Sequence, residues 1–197
     1  TGGARGIGRA VGLDLAADGW SVALCYRTSA DDAASAREAI EAAGGRALAV
    51  QCDVSDPEAC AALVERTAAE LGPVEALIAC AGPYHRVPYF DETLEGWHAM
   101  FDNNLHPGFY LSRLVAPGMR ERGYGRIVTF GMANAARLAA QPHVTAHYIA
   151  KSGLLVLTRT LAKLLGPHGI TANTVSPGFI DSGSAPSEEL AKMTKHI

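Results

Sequence analysis

The chain has 197 residues, 48% of them apolar, and a formal charge of −3. That length suits one domain around one core, and no apolar run approaches the roughly 20 residues of a membrane span. A small negative charge gives no general attraction to nucleic acid or to an anionic membrane, so neither is an expected partner.

The four cysteines, Cys25, Cys52, Cys60 and Cys80, form no C-x-x-C pair, and reduced thiols in a cytoplasmic protein are expected. The sequence opens on a glycine-rich turn, Thr1 to Gly8, with no strand before it, so Thr1 is not expected to be the natural terminus. A helical stretch follows from Arg9 to Asp18, then a short β-branched run at Val22–Cys25. Further strand candidates are Ala47–Val50, Leu77–Cys80, Ile127–Phe130 and Thr171–Val175. Helical spacing recurs at Ala30–Ala43, Pro57–Leu71, Leu94–Arg122 in one or two pieces, and Thr145–Leu165. Gly19, Gly44-Gly45, Gly72-Pro73 and Gly166-Pro167 punctuate the helix ends, and Asp56-Pro57 opens a helix. Short connections between alternating strands and helices require parallel neighbours and right-handed crossovers. The fold class expected is α/β, a doubly wound parallel sheet of Rossmann type in a single domain over residues 1–197.

In Thr1-Gly2-Gly3-Ala4-Arg5-Gly6-Ile7-Gly8 the glycines stand where a backbone must turn tightly and approach a ligand, and the following helix aims its first amides at a diphosphate. About 18 residues after Gly8, where dinucleotide folds place the residue that meets the adenosine ribose, stand Tyr26 and then Arg27. No carboxylate is present there to accept the ribose hydroxyls, while Arg27 and Arg5 can meet a 2′-phosphate, so the expected cofactor is NADP(H).

The spacing Gly2-x3-Gly6-x-Gly8, with Asp53-Val54, Ala81-Gly82, Asn104, Lys151-Ser152-Gly153-Leu154, Asn173 and Pro177-Gly178, resembles the short-chain dehydrogenase/reductase family over almost the whole chain. The likeness is closest to 3-oxoacyl-carrier-protein reductases, and it implies that the family's first and last strands lie outside this sequence. It further implies that Asp53 and Val54 contact the adenine and that Ala81 and Gly82 flank the adenosine side. Pro177, Gly178, Ile180 and Ser182 would approach the nicotinamide end. The chemistry implied is hydride transfer between a nicotinamide and a carbonyl of a small molecule, in a homodimer or homotetramer.

Four side chains carry that chemistry in the family: a tyrosine, a lysine, a serine and an asparagine. Lys151 and Asn104 match the lysine and the asparagine. The tyrosine position, four residues before Lys151, holds His147, and Tyr148 is three before it. At about 100° per residue these two lie on opposite flanks of the lysine's helical face, so the proton donor is left open between Tyr148 and His147. Met132 stands where the serine belongs, and a thioether donates no hydrogen bond. Asn134, in the long loop from Ala133 to Val144, is a candidate for the missing polar group. Ala79 and Cys80 replace the two asparagines usual before Ala81-Gly82.

His143 and His147 have the i, i+4 spacing of a two-histidine metal pair, but no third ligand matches, and no metal is expected. Tyr84, His85, Tyr89 and Phe90 follow Ala81-Gly82 in a proline-punctuated loop at a strand's carboxyl end, where ligands bind in such sheets. Two functions follow: an NADPH-dependent reductase of a ketone, oxoacyl thioester or imine, or a nucleotide-binding member that has lost carbonyl reduction.

Overall fold

A computed structural model describes residues 1–178 and Ile180. Six helices and five strands alternate along these residues: α1 (Gly6–Ala17), β1 (Val22–Tyr26), α2 (Ala30–Ala42), β2 (Ala47–Gln51), α3 (Pro57–Leu71), β3 (Ala76–Ala79), α4 (Leu94–Asn104), α5 (His106–Arg122), β4 (Gly125–Phe130), α6 (Thr145–Leu165) and β5 (Ile170–Val175). All strand pairs are parallel, in two sheets ordered β1-β2 and β3-β4-β5. Between them a cleft of about 560 Å³ is lined by apolar side chains of both sheets, among them Val22, Leu24 and Leu77, and by Leu111 of α5. Among the described residues no strand bridges β1 and β3, which is why the expected sheet is divided.

The longest stretch of helical spacing, Leu94–Arg122, is two helices. Pro107 has no N–H to continue the α4 ladder and sits in the first turn of α5, where none is needed. That break leaves Asn104 as the last residue of α4, at the edge of the site. α6 ends at Leu165 as its sequence predicts; Gly166, right-handed at φ −53°, leads into a short 3-10 turn that closes at the left-handed Gly169 with φ 75°. α1 starts at Gly6, three residues before the apolar periodicity begins, because a glycine there accepts φ 53°.

The core lies where β3, β4 and β5 meet α3, α5 and α6, around Leu77, Leu111, Val115, Met119, Ile127 and Ile170. Ile127 is 1% exposed, and truncating such a side chain to alanine costs about 2–5 kcal/mol. α6 buries a stripe of His147, Lys151, Leu154 and Thr158, the spacing of one helical face. Two of those four are ionisable, which marks the stripe as more than packing.

Candidate active site

The glycine turn is fastened to the carboxyl ends of both sheets. Gly3 N donates to the Cys25 carbonyl at 3.0 Å, the Thr1 nitrogen to the Ile78 carbonyl at 2.8 Å, and Ala81 N to Thr1 Oγ1 at 3.0 Å. A Cβ at Gly2 would sit 3.1 Å from the Ala81 backbone, at a φ of 62° that already disfavours side chains, and one at Gly8 would strike the Gly2 carbonyl oxygen. Arg5, at the N-cap of α1, makes no side-chain hydrogen bond to the first turn, whereas Asp56 and Thr93 cap α3 and α4. The α1 amides are therefore left free of a side-chain cap, as an anion site requires.

From this turn a groove of about 390 Å³ runs past Gly2, Arg5, Gly6, Ile7 and Gly8, Tyr26 and Arg27, Asp53 and Val54, to Ala81 and Gly82. Arg27 Nη1 donates to Asn103 Oδ1 at 3.2 Å and lies 3.9 Å from the Asp53 carboxylate. Asp53 accepts from the Ser55 hydroxyl at 2.7 Å and the Ser55 amide at 3.0 Å, and these two bonds hold its pKa below the ordinary carboxylate value. Arg5 lies 3.6 Å from Asp32, and both arginines are more than half exposed, so each can turn to a phosphate at little cost. Asn103 is a groove residue that sequence reasoning missed; its only signal was adjacency to Asn104.

At the inner end of the groove Gly82, Asn104 and Lys151 converge: a Cβ on Gly82 would strike Asn104 Oδ1 and lie 3.1 Å from Lys151 Nζ. Lys151 is 6% exposed and donates to the Phe130 carbonyl at 2.8 Å. Burial lowers its pKa to about 8, with the nearby Cys80 opposing the shift. It stays mostly protonated at neutral pH, with two N–H bonds unused by Phe130. Asn104 donates to the Pro83 carbonyl at 3.1 Å, while its Oδ1 is buried without a partner. A buried carbonyl oxygen without a donor is costly unless a ligand or water supplies one.

The two candidate proton donors part at α6. The Tyr148 hydroxyl turns away from Lys151 to the loop before the helix, donating to the Asn134 carbonyl at 2.7 Å and accepting from Ala139 N at 3.0 Å. Asn134 thus serves through its main chain; it is exposed, at a left-handed φ of 62°. His147 lies on the Lys151 side, 5% exposed, with Nδ1 unpartnered. Burial, and then the Lys151 charge, lower its pKa to about 4, so it is neutral at pH 7. Tyr84 meets it edge-on, ring centroids 5.1 Å apart at 88°. Met132 is half-buried at the end of β4.

Pro177 accepts a hydrogen bond from Ala133 N at 3.1 Å, which brings the segment after β5 to the loop carrying Met132. Gly178 and a half-exposed Ile180 follow, and Ser182 lies outside the described residues. His143 precedes α6, so its helical pairing with His147 does not form, and the described residues contain no cluster of three possible metal ligands. None of the described helices is long and apolar enough to cross a membrane.

Parallel strands flanked by helices, an uncapped glycine-rich helix start and a buried lysine at the groove's inner end define an α/β oxidoreductase of Rossmann type. A family profile described as enoyl-(acyl carrier protein) reductase matches residues 2–196. Short-chain reductase protein NovJ of Streptomyces niveus is 38% identical over 180 residues, 91% of this chain and 67% of its own length. A 3-oxoacyl-[acyl-carrier-protein] reductase of Synechocystis is 34% identical over 91% of this chain and 72% of the relative. A short chain dehydrogenase from Burkholderia cenocepacia, solved in complex with NADP, superposes with a TM-score of 0.87 at 36% identity, covering 95% of this chain and 75% of that one. The chain belongs to the short-chain dehydrogenase/reductase family, and it resembles reductases of the 3-oxoacyl type among others.

Proposed function

We propose that this chain is an NADPH-dependent reductase acting on a ketone, an oxoacyl thioester, or an imine or pterin-type acceptor. The observation that carries the reading is the convergence of Gly82, Asn104 and Lys151 at the inner end of a groove that begins at the uncapped α1. Residues 1–197 are read as one dinucleotide-binding domain. The amides of Gly6, Ile7 and Gly8 hold the diphosphate, with Gly2 letting the backbone approach; Arg27 and Arg5 meet the 2′-phosphate. Asp53 and Val54 border the adenine, Tyr26, Ala81 and Gly82 the adenosine, and Pro177, Gly178, Ile180 and Ser182 the nicotinamide end. The preference for NADP over NAD rests on the absence of a carboxylate at Tyr26 and on the two exposed arginines; the NADP-bound relative supports it.

When bound, the reduced nicotinamide supplies a hydride. Lys151, with two N–H bonds left over from Phe130, would hold the cofactor ribose and the acceptor oxygen, and Asn104 Oδ1 would accept from a water or from Lys151. Neither proton donor weighed from the sequence is ready as it stands. Tyr148 has its hydroxyl engaged by Asn134 and Ala139, and His147 is neutral at pH 7. Phe109 and Leu114 on α5, with Ile149 and Val156 on α6, leave exposed apolar faces that support a homodimer or homotetramer, and reduced buried thiols support a cytoplasmic setting.

A second reading, a nucleotide-binding protein or non-redox catalyst, is favoured by Met132 and by the engaged Tyr148 hydroxyl. The test is loss of reduced-nicotinamide absorbance with NADPH and a panel of acetoacetyl thioesters, diketones, cyclic imines and pterins. Turnover of a panel member supports the reductase; tight NADPH binding without any turnover supports the second reading.

A further inference from the structure

The site has no free hydroxyl on α6 or at the end of β4, since Tyr148 is engaged and Met132 has none. A tyrosine ring packs against the buried face of α6 from another element. Tyr84 lies two residues after Gly82, in the loop that leaves β3, and its ring rests edge-on against His147, the residue at the family's tyrosine position. The loop is held at four points. The Pro83 carbonyl accepts from Asn104 Nδ2 at 3.1 Å, His85 Nε2 pairs with Glu92 at 2.9 Å, Val87 N donates to the His143 carbonyl at 2.8 Å, and Tyr89 N donates to the Pro142 carbonyl at 2.8 Å. Tyr84 is therefore placed by fixed neighbours on both sides, yet it is 58% exposed.

We propose that Tyr84 is the proton donor of this site, its phenol delivered by the β3 loop over His147 in place of a tyrosine on α6. The inference rests on the reductase reading above. In the step, the acceptor carbon gains hydride from the reduced nicotinamide and the C=O π pair moves to oxygen. The Tyr84 O–H bond breaks as a new O–H bond forms on that oxygen, and the phenolate regains its proton from solvent, to which Tyr84 is open. His147 acts as a positioning residue: neutral and buried, it holds the Tyr84 ring in an edge-to-face contact without adding a second cation beside Lys151. His147 faces the Tyr84 ring from α6, the charges of Lys151 and His85 act on that imidazole, and the His85–Glu92 pair belongs to the loop of Tyr84 itself.

The test does not need the substrate. With saturating NADP⁺, ultraviolet difference titration near 295 nm follows the tyrosine phenols, and NADPH fluorescence follows cofactor binding. Lys151 and the positive oxidised nicotinamide favour the phenolate of a neighbouring tyrosine. One phenol is expected to titrate at least one pH unit earlier with NADP⁺ than without it, to vanish in Tyr84→Phe and to persist in Tyr89→Phe, an exposed tyrosine of the same loop. On any panel substrate the wild type reduces, Tyr84→Phe is expected to lower kcat about 10²–10⁴-fold, with NADPH affinity unchanged within twofold. Cofactor binding without a shifted phenol, or a shifted phenol that survives Tyr84→Phe, would overturn this inference alone. Failure of NADPH to bind would overturn the cofactor reading as well.

Discussion

The two ends of the groove are built from different materials. At the glycine turn a ligand would face main chain: Gly2 and Gly8 stand where a Cβ would meet the Ala81 backbone or the Gly2 carbonyl, and the α1 amides are left uncapped. At the inner end it would face side chains, and there His147, Met132 and Cys80 stand at positions where the family resemblance expects other groups. A main-chain cradle has few alternative solutions, because only glycine tolerates the close approach. A proton donor is a single O–H that any element reaching the spot can supply. The difference explains how a chain can keep the nucleotide half of a site while the catalytic half changes hands.

Lys151 joins the two ends, and its removal has the largest expected effect. Lys151→Ala should lower turnover of any panel substrate by two or more orders of magnitude and weaken NADPH binding about tenfold, a loss of about 1.4 kcal/mol. Steady-state kinetics and fluorescence titration separate the two losses. If turnover falls with affinity intact, Lys151 belongs to the catalytic end alone.

A smaller effect is expected from the buried imidazole. In the unfolded chain His147 takes its proton near the ordinary 6.5, whereas in the fold burial delays protonation to about 4. The unfolded state therefore binds more protons between those values, and stability falls as pH drops through that window. Thermal melts between pH 7 and pH 4.5 should show a decline that His147→Gln reduces by about 1–2 kcal/mol. An unaltered slope in the variant would mean that His147 is hydrated and does not sit in the dry stripe of α6.

What could be read from sequence follows the same division. The glycine spacing was legible from the turn chemistry it requires, whereas Asp53-Val54 and Lys151 were legible through the family resemblance, which places them at a strand end and on a helical face. The division of Leu94–Arg122 was half legible: Pro107 signals a break, but only the fold shows that the break delivers Asn104 to Gly82. The choice between Tyr148 and His147 was not legible. It depends on whether the loop from Met132 to Val144 captures a hydroxyl, and Asn134 and Ala139 do so through main-chain groups that carry no sequence signature. The meeting of Tyr84 with His147 joins elements more than sixty residues apart, beyond any periodicity. The helix stop was legible as well: α6 ends at Leu165, directly before Gly166-Pro167, and the left-handed glycine follows only at Gly169 after a short 3-10 turn.

The most direct test of the central claim, an NADP-preferring groove built on the glycine turn, is a paired titration of wild type and Arg27→Ala with NADPH and NADH by reduced-nicotinamide fluorescence. Wild type should bind NADPH at least tenfold more tightly than NADH, and the substitution should remove about tenfold from NADPH alone, because only that cofactor carries the 2′-phosphate. Equal losses for both cofactors, or no binding of either, would contradict the account.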